Sequence, residues 1–347
     1  MCLCSSRSGG PRSILGVIST CSLPSKSIMP HAIALGTWQL KGQAATDLVR
    51  GAILEGGVRE IDCAWEYLNE VEIGVGVKEA IQTGVVSRED LTITSKLWGT
   101  FHRPELVRPA LLQSLDNLGV SYLDTYIIHW PMSFRPMPVK EGDGLIPPYA
   151  AVTDEMLYPR GEDGKIAYDR TSVLDTWRAM EALVDEGLVR HIGVSNFPVI
   201  LLHDLLCGNR HPVYCNQIEL HCLLQQRPLV DYCIERGVRV VGYSPLGGSY
   251  TYGAHKGVHL LANSVVGEVA ERHSCTPAQV LLRYLTQRYG DMVTLIPRTR
   301  HVERTSQNLA AQSITLDEEA MESLLGLDAN IRFNDAGGVH WGVPSFD

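Results

Sequence analysis

A chain of 347 residues with a net charge of −9 and 45% hydrophobic residues is long enough for one large core, yet it never strings together an apolar run long enough to cross a bilayer. It has no basic stripe to track a phosphate backbone, which excludes nucleic acid as a partner, and the absence of a spanning segment excludes a membrane one. Nine cysteines lie scattered, with no Cys-x-x-Cys pair and no zinc spacing, so the expectation is reduced thiols in the cytoplasm and no bound metal.

The first thirty residues stand apart. They carry Arg7, Arg12 and Lys26 among many serines and no acid, the first carboxylate of the chain being Asp47. The reading adopted is a disordered or targeting extension over 1–30 ahead of a single domain over 31–347. If residues 1–28 act as a transit peptide, the destination becomes mitochondrial.

From residue 32 onward, short β-type runs alternate with helical patterns. A strand near Ala32 precedes a helix over 44–56, and one near Val58 precedes a helix over 69–83. A strand near Leu91 leads to a helix over Pro104–Leu118, with proline in its first turn and Gly119 past its end. The strand near Leu123 runs into an excursion over 131–170 that holds six prolines and four glycines and has no regular core, before a helix over 171–186. Strands near His191, Pro212 and Val238 follow, with a helix over 228–235 between the last two. Helical segments over 262–273 and 277–288 lead to the last strand, near Met292, and a short helix follows it. Each strand run is apolar or β-branched, as strands covered on both faces must be.

Eight strands separated by helices give a parallel sheet, either closed or doubly wound. A doubly wound dinucleotide fold would show Gly-x-Gly-x-x-Gly directly after its first strand. Here that strand ends in Gly36-Thr37-Trp38, and Gly74-Val75-Gly76 lies inside a helical pattern with no third glycine. The fold class is therefore α/β, a (β/α)8 TIM barrel. Its long loops over 131–170 and 247–261, joined by the tail over 331–347, belong to the C-terminal face where barrel sites are built.

Polar residues at the strand ends carry the chemistry. Asp62 ends the second strand, Tyr67 follows it in the loop, Lys96 ends the third and His129 the fourth. Reducing a carbonyl needs a proton donor at the developing alkoxide. A tyrosine can serve if a neighbouring ammonium, Lys96, lowers its pKa while Asp62 orients that ammonium. His129 would hydrogen-bond the carbonyl oxygen. Arg304, Gln307 and Asn308 are spaced i, i+3, i+4 and share one helix face, and Arg298 and Arg304 form the local positive cluster an acidic protein needs to hold a 2′-phosphate.

The string Asp62-Cys63-Ala64-Trp65-Glu66-Tyr67-Leu68-Asn69-Glu70 resembles the aldo-keto reductase signature. Thr94-Ser95-Lys96-Leu97-Trp98, Asp124-Thr125-Tyr126-Ile127-Ile128-His129-Trp130-Pro131 and Gly193-Val194-Ser195-Asn196-Phe197 continue the likeness in order. So do Asn216-Gln217-Ile218-Glu219, the run from Gly242 to Gly247, and Ile296-Pro297-Arg298-Thr299. The resemblance implies catalytic roles for Asp62, Tyr67, Lys96 and His129, with Tyr67 the proton donor, and NADPH as cofactor. It implies that Ser195, Asn196 and Gln217 bond the nicotinamide carboxamide and that Tyr243 stacks on its ring. Ser244, Leu246 and the loop over 247–261 would cover the pyrophosphate. Arg298, Thr299, Arg304, Gln307 and Asn308 would hold the adenosine end, and Thr37 and Trp38 are counted with the cofactor contacts.

Trp38, Trp130 and Asn334 are expected to meet the small-molecule carbonyl substrate. The tail Ile331-Arg332-Phe333-Asn334-Asp335 resembles the xylose-reductase branch, but Ala336-Gly337-Gly338 stands where that branch continues with aromatics, and Arg298 stands where most relatives have lysine. Two rivals remain on the sequence: a non-catalytic NADPH-binding partner protein on the same fold, and a metal-dependent hydrolase, for which Glu219 and His221 lack a second histidine pair. Monomer and dimer are equally compatible with the composition.

Overall fold

A computed structural model describes residues 31–139, 144–248, 257–343 and 346. The extension over 1–30 lies outside them. In chain order the elements are β1 (Leu35–Gly36), α1 (Gly42–Leu54), β2 (Glu60–Asp62), α2 (Glu70–Gln82), β3 (Thr92–Leu97) and α3 (Pro104–Leu118). Then come β4 (Leu123–Ile128), α4 (Asp154–Leu157), α5 (Val173–Asp185), β5 (Val189–Ser195), α6 (Val199–Gly208), β6 (Val213–Glu219) and α7 (Arg227–Glu235). The chain closes with β7 (Arg239–Tyr243), α8 (Ser264–Arg272), α9 (Pro277–Tyr289), β8 (Val293–Leu295), α10 (Val302–Ala310) and α11 (Glu318–Leu325).

The eight strands pair in sequence order and all in parallel. The sheet curls shut where Ile33 bridges Leu295 in parallel, with the Ala34 N–H donating to the Leu295 carbonyl at 2.8 Å and the Leu295 N–H to that of Ala32 at 2.9 Å. This is the (β/α)8 barrel. β4 is buried along its whole length, because one face packs inside the barrel and the other under helices.

Local chemistry explains the helix bounds. α3 begins on Pro104, whose missing N–H costs nothing in the first turn, and stops at Gly119, which takes the left-handed φ of 65°. α9 opens with a capping box in which Thr276 and Gln279 satisfy each other's backbone N–H groups. The Gly74-Val75-Gly76 stretch is a packing device. A Cβ on Gly74 would stand 2.6 Å from the Leu118 backbone at the end of α3, and one on Gly76 would stand 2.7 Å from the Thr46 carbonyl oxygen in α1.

The structure corrects one expectation about the excursion over 131–170. Phe134, Met137, Ile146, Leu157 and Ile166 are buried as part of the one hydrophobic core that runs through the barrel, and bridges join Phe134 to Tyr168 and Arg160 to Ile166. Among the described residues, no helix is long and apolar enough to cross a membrane.

Candidate active site

The C-terminal ends of β2, β3 and β4 bring Asp62, Lys96 and His129 to one rim, and the turn Trp65–Tyr67 carries Tyr67 over them. That turn is fixed from both sides. Leu68 closes it in the left-handed region at φ 50°, and Lys41 Nζ donates to the Tyr67 carbonyl at 2.6 Å. Lys96 is fully buried beneath the tyrosine. Its ammonium donates to Asp62 Oδ1, to the Cys63 carbonyl at 2.7 Å and to the Tyr67 hydroxyl at 3.2 Å. Gln217 Nε2 donates to the other oxygen of Asp62 at 2.7 Å, so both carboxylate oxygens are engaged.

One expectation about electrostatics is reversed. Burial, followed by the carboxylates of Asp62 and Glu66, holds the Tyr67 phenol well above its ordinary range. Lys96 does not overcome this because Asp62 already compensates its charge at contact distance. Tyr67 therefore keeps its proton. Burial, with the Lys96 charge behind it, likewise pushes His129 well below the usual histidine range, so its imidazole is neutral. The two rings meet edge-on at 5.7 Å between centroids, and His129 Nδ1 is buried without a partner.

These groups open into a cavity of about 1030 Å³. On one side Ser195, Asn196, Gln217 and Tyr243 line it in a connected set. The Tyr243 hydroxyl donates to Asn196 Oδ1 at 2.8 Å, while Asn196 Nδ2 reaches the His129 carbonyl at 3.0 Å. Asn196 and Ser244 hold left-handed φ values of 63° and 53°, strained conformations for residues with a side chain. Ser244 and Leu246 continue the lining; of the loop over 247–261, residues 249–256 lie outside the described set.

Farther along, Thr37, Trp38, Arg298 and Arg304 line the same cavity, and the Arg298 guanidinium stands 5.8 Å from the centre of the Trp38 ring. Thr299, Gln307 and Asn308 do not line it: Thr299 and Asn308 are buried beside it, and Gln307 is exposed on α10. Near Tyr67 the lining includes Trp130 and Asn334, Trp341 from the tail, and residues not singled out from the sequence, among them Glu66, Trp98 and Tyr158. Glu66 and Trp98 stood in plain view inside the two quoted motifs, each beside a catalytic candidate.

Trp341 supplies the aromatic group that Ala336-Gly337-Gly338 lacks. Its ring lies 4.9 Å from Trp130, 5.2 Å from Phe134 and 6.3 Å from Tyr158, the last a stacked pair. From this same wall, the Tyr158 hydroxyl donates to Glu66 Oε1 at 2.6 Å, and burial raises the Glu66 carboxyl above its usual range. Glu219 and His221 pair at 3.0 Å away from the cavity lining, and among the described residues no group of three or more metal-type ligands converges.

A parallel barrel with a buried Asp–Lys–Tyr chain, a neutral histidine and a long groove ending in arginines defines a cofactor-dependent oxidoreductase. Comparison with known proteins gives the family: residues 32–329 match the Aldo/keto reductase family, and the chain belongs to it. It is 40% identical over 311 residues to the NAD(P)H-dependent D-xylose reductase of Pachysolen tannophilus, covering 88% of this chain and 92% of that one. The NADH-dependent D-xylose reductase of Candida parapsilosis is 37% identical, with 87% and 90% covered. Among solved structures, an aldose reductase from Giardia lamblia superposes with a TM-score of 0.82 at 34% identity, covering 92% of this chain and all of that one.

Proposed function

We propose that this protein reduces aldehydes and ketones, aldoses among them, to alcohols with NADPH, and that Tyr67 is the proton donor. The observation that carries the reading is the Tyr67 hydroxyl, kept protonated beside a buried ammonium at 3.2 Å and facing a neutral imidazole.

The cavity suits a dinucleotide. Its volume of about 1030 Å³ lies at the top of the usual range for ligand pockets, and its lining runs from amide and hydroxyl groups at the catalytic end to two arginines at the other. Ser195, Asn196 and Gln217 would hold the carboxamide, Tyr243 would stack on the nicotinamide, and Ser244 and Leu246 would flank the pyrophosphate. Arg298 and Arg304 would take the 2′-phosphate, which favours NADPH over NADH. When bound, the cofactor supplies the hydride.

The residues of the chain then do the rest. His129, neutral, donates a hydrogen bond to the carbonyl oxygen and aligns it with Tyr67. Tyr67 releases its proton to that oxygen as negative charge builds on it. Its raised pKa prevents earlier loss, and the phenolate left behind gains the Lys96 ammonium as its counter-charge. Asp62 keeps the ammonium aimed. A substrate with an apolar face and several hydroxyls suits this lining, which offers the rings of Trp130 and Trp341 and the polar groups of Glu66 and Asn334.

NADPH consumption across an aromatic aldehyde, methylglyoxal, xylose and a quinone, with NADH in parallel, tests this. Turnover with NADPH is expected. NADPH binding with no turnover on any carbonyl would favour the non-catalytic partner instead.

A further inference from the structure

Glu219, at the end of β6, is fully buried and does not line the cavity. Its Oε1 accepts the Phe333 N–H at 2.7 Å and meets His221 Nε2 at 3.0 Å, while Oε2 accepts the Asn334 N–H at 2.9 Å. Among the described residues it forms no ion pair with lysine or arginine. A carboxylate buried without such a partner is costly unless hydrogen-bond donors are held against it. Here most of the donors come from a segment more than a hundred residues away.

That segment is the start of the C-terminal tail. Before it, the Ile331 N–H donates to the Leu223 carbonyl at 2.9 Å and Arg332 donates to Gln226 Oε1 at 3.1 Å. Phe333 is buried, its ring 5.0 Å from that of His221. Beyond it come Asn334 and Trp341, both on the cavity wall, and the tail is tied again where the Tyr168 hydroxyl donates to the Trp341 carbonyl at 2.7 Å. The substrate wall is thus slung between two attachments, Glu219 and Tyr168.

We propose that Glu219 is a positioning residue that clasps the tail and thereby sets affinity for the carbonyl substrate. The kinetic half rests on the reductase reading above; the structural half does not. Glu219→Gln replaces one acceptor with an amide N–H facing another N–H. Deuterium exchange of the peptide over 331–336 should quicken about tenfold. For aldehyde reduction KM should rise about tenfold with kcat changed no more than about twofold, since only the wall is loosened. A chain truncated after Arg332 should show the same KM defect, and adding Glu219→Gln to it should change nothing further. Should the glutamine variant fail to fold, Glu219→Asp keeps the charge, shortens the reach and serves in the same comparison. Unchanged exchange, or KM effects that multiply between the substitution and the truncation, would overturn the proposal. If the native protein turns over no carbonyl at all, the functional reading fails, and exchange alone decides the clasp.

Discussion

Tyr67 shows how a single group is tuned by competition. Burial and then the carboxylates of Asp62 and Glu66 raise its pKa even with the Lys96 ammonium at 3.2 Å, and the result is a tyrosine that holds its proton. Asp62, Tyr67, Lys96 and His129 were legible in the sequence because each stands at or just past a strand end, where barrel geometry fixes the neighbourhood. The direction of the Tyr67 shift was not legible, since it depends on how completely Asp62 compensates Lys96. Glu66 was missed because an acid between an aromatic and a catalytic candidate looks like a surface residue until Tyr158 arrives from residues far along the chain. For Arg304, which is exposed and lines the distal end of the cavity, replacement by alanine should weaken NADPH by about 10- to 100-fold and leave NADH nearly unchanged. Titration of both cofactors by tyrosine and tryptophan fluorescence reads the difference; equal losses would place the 2′-phosphate elsewhere.

Some helices carry their own punctuation and were read well from sequence. α3 and α9 announce themselves with prolines, caps and a closing glycine. α6 has no side-chain cap and an apolar run with no clear period, and it leaves Ile200 76% exposed, so nothing local marks it. Packing between elements gives one prediction. Alanine is the better helix former by about 1 kcal/mol, but Gly74→Ala would drive a Cβ into the Leu118 backbone, so the variant should lose about 1–3 kcal/mol net in a denaturant melt.

Glu60, which opens β2, gives another. Burial raises its carboxyl from 4.5 to about 7, so between those values the folded state binds more protons than the unfolded one. Stability from this group therefore falls as pH rises through that window. Glu60→Gln, neutral throughout, should raise Tm at about pH 8 and leave it unchanged at about pH 5. A gain at both pH values would mean the side chain acts through packing.

At the scale of the molecule, the repeating βα pattern and the missing glycine fingerprint were enough to favour a closed barrel, and Ile33 and Leu295 close it. The tail was expected on the C-terminal face, but which of its residues would wall the cavity was less legible. Trp341 meets Trp98, Trp130, Phe134 and Tyr158 only through contacts that no local pattern encodes. The part of the cavity around Asp62, Lys96 and His129 follows from the barrel itself, whereas the part walled by Tyr158 and Trp341 follows from how loops and tail dock on it. The central claim, that Tyr67 hands its proton to a carbonyl reduced by NADPH, is tested most directly by Tyr67→Phe. The substitution removes one hydroxyl and leaves the ring, the Lys96–Asp62 pair and the cofactor groove in place. NADPH-linked aldehyde reduction should fall by about 10²- to 10⁴-fold while NADPH still binds with near-native affinity. Turnover close to that of the native protein would contradict the account.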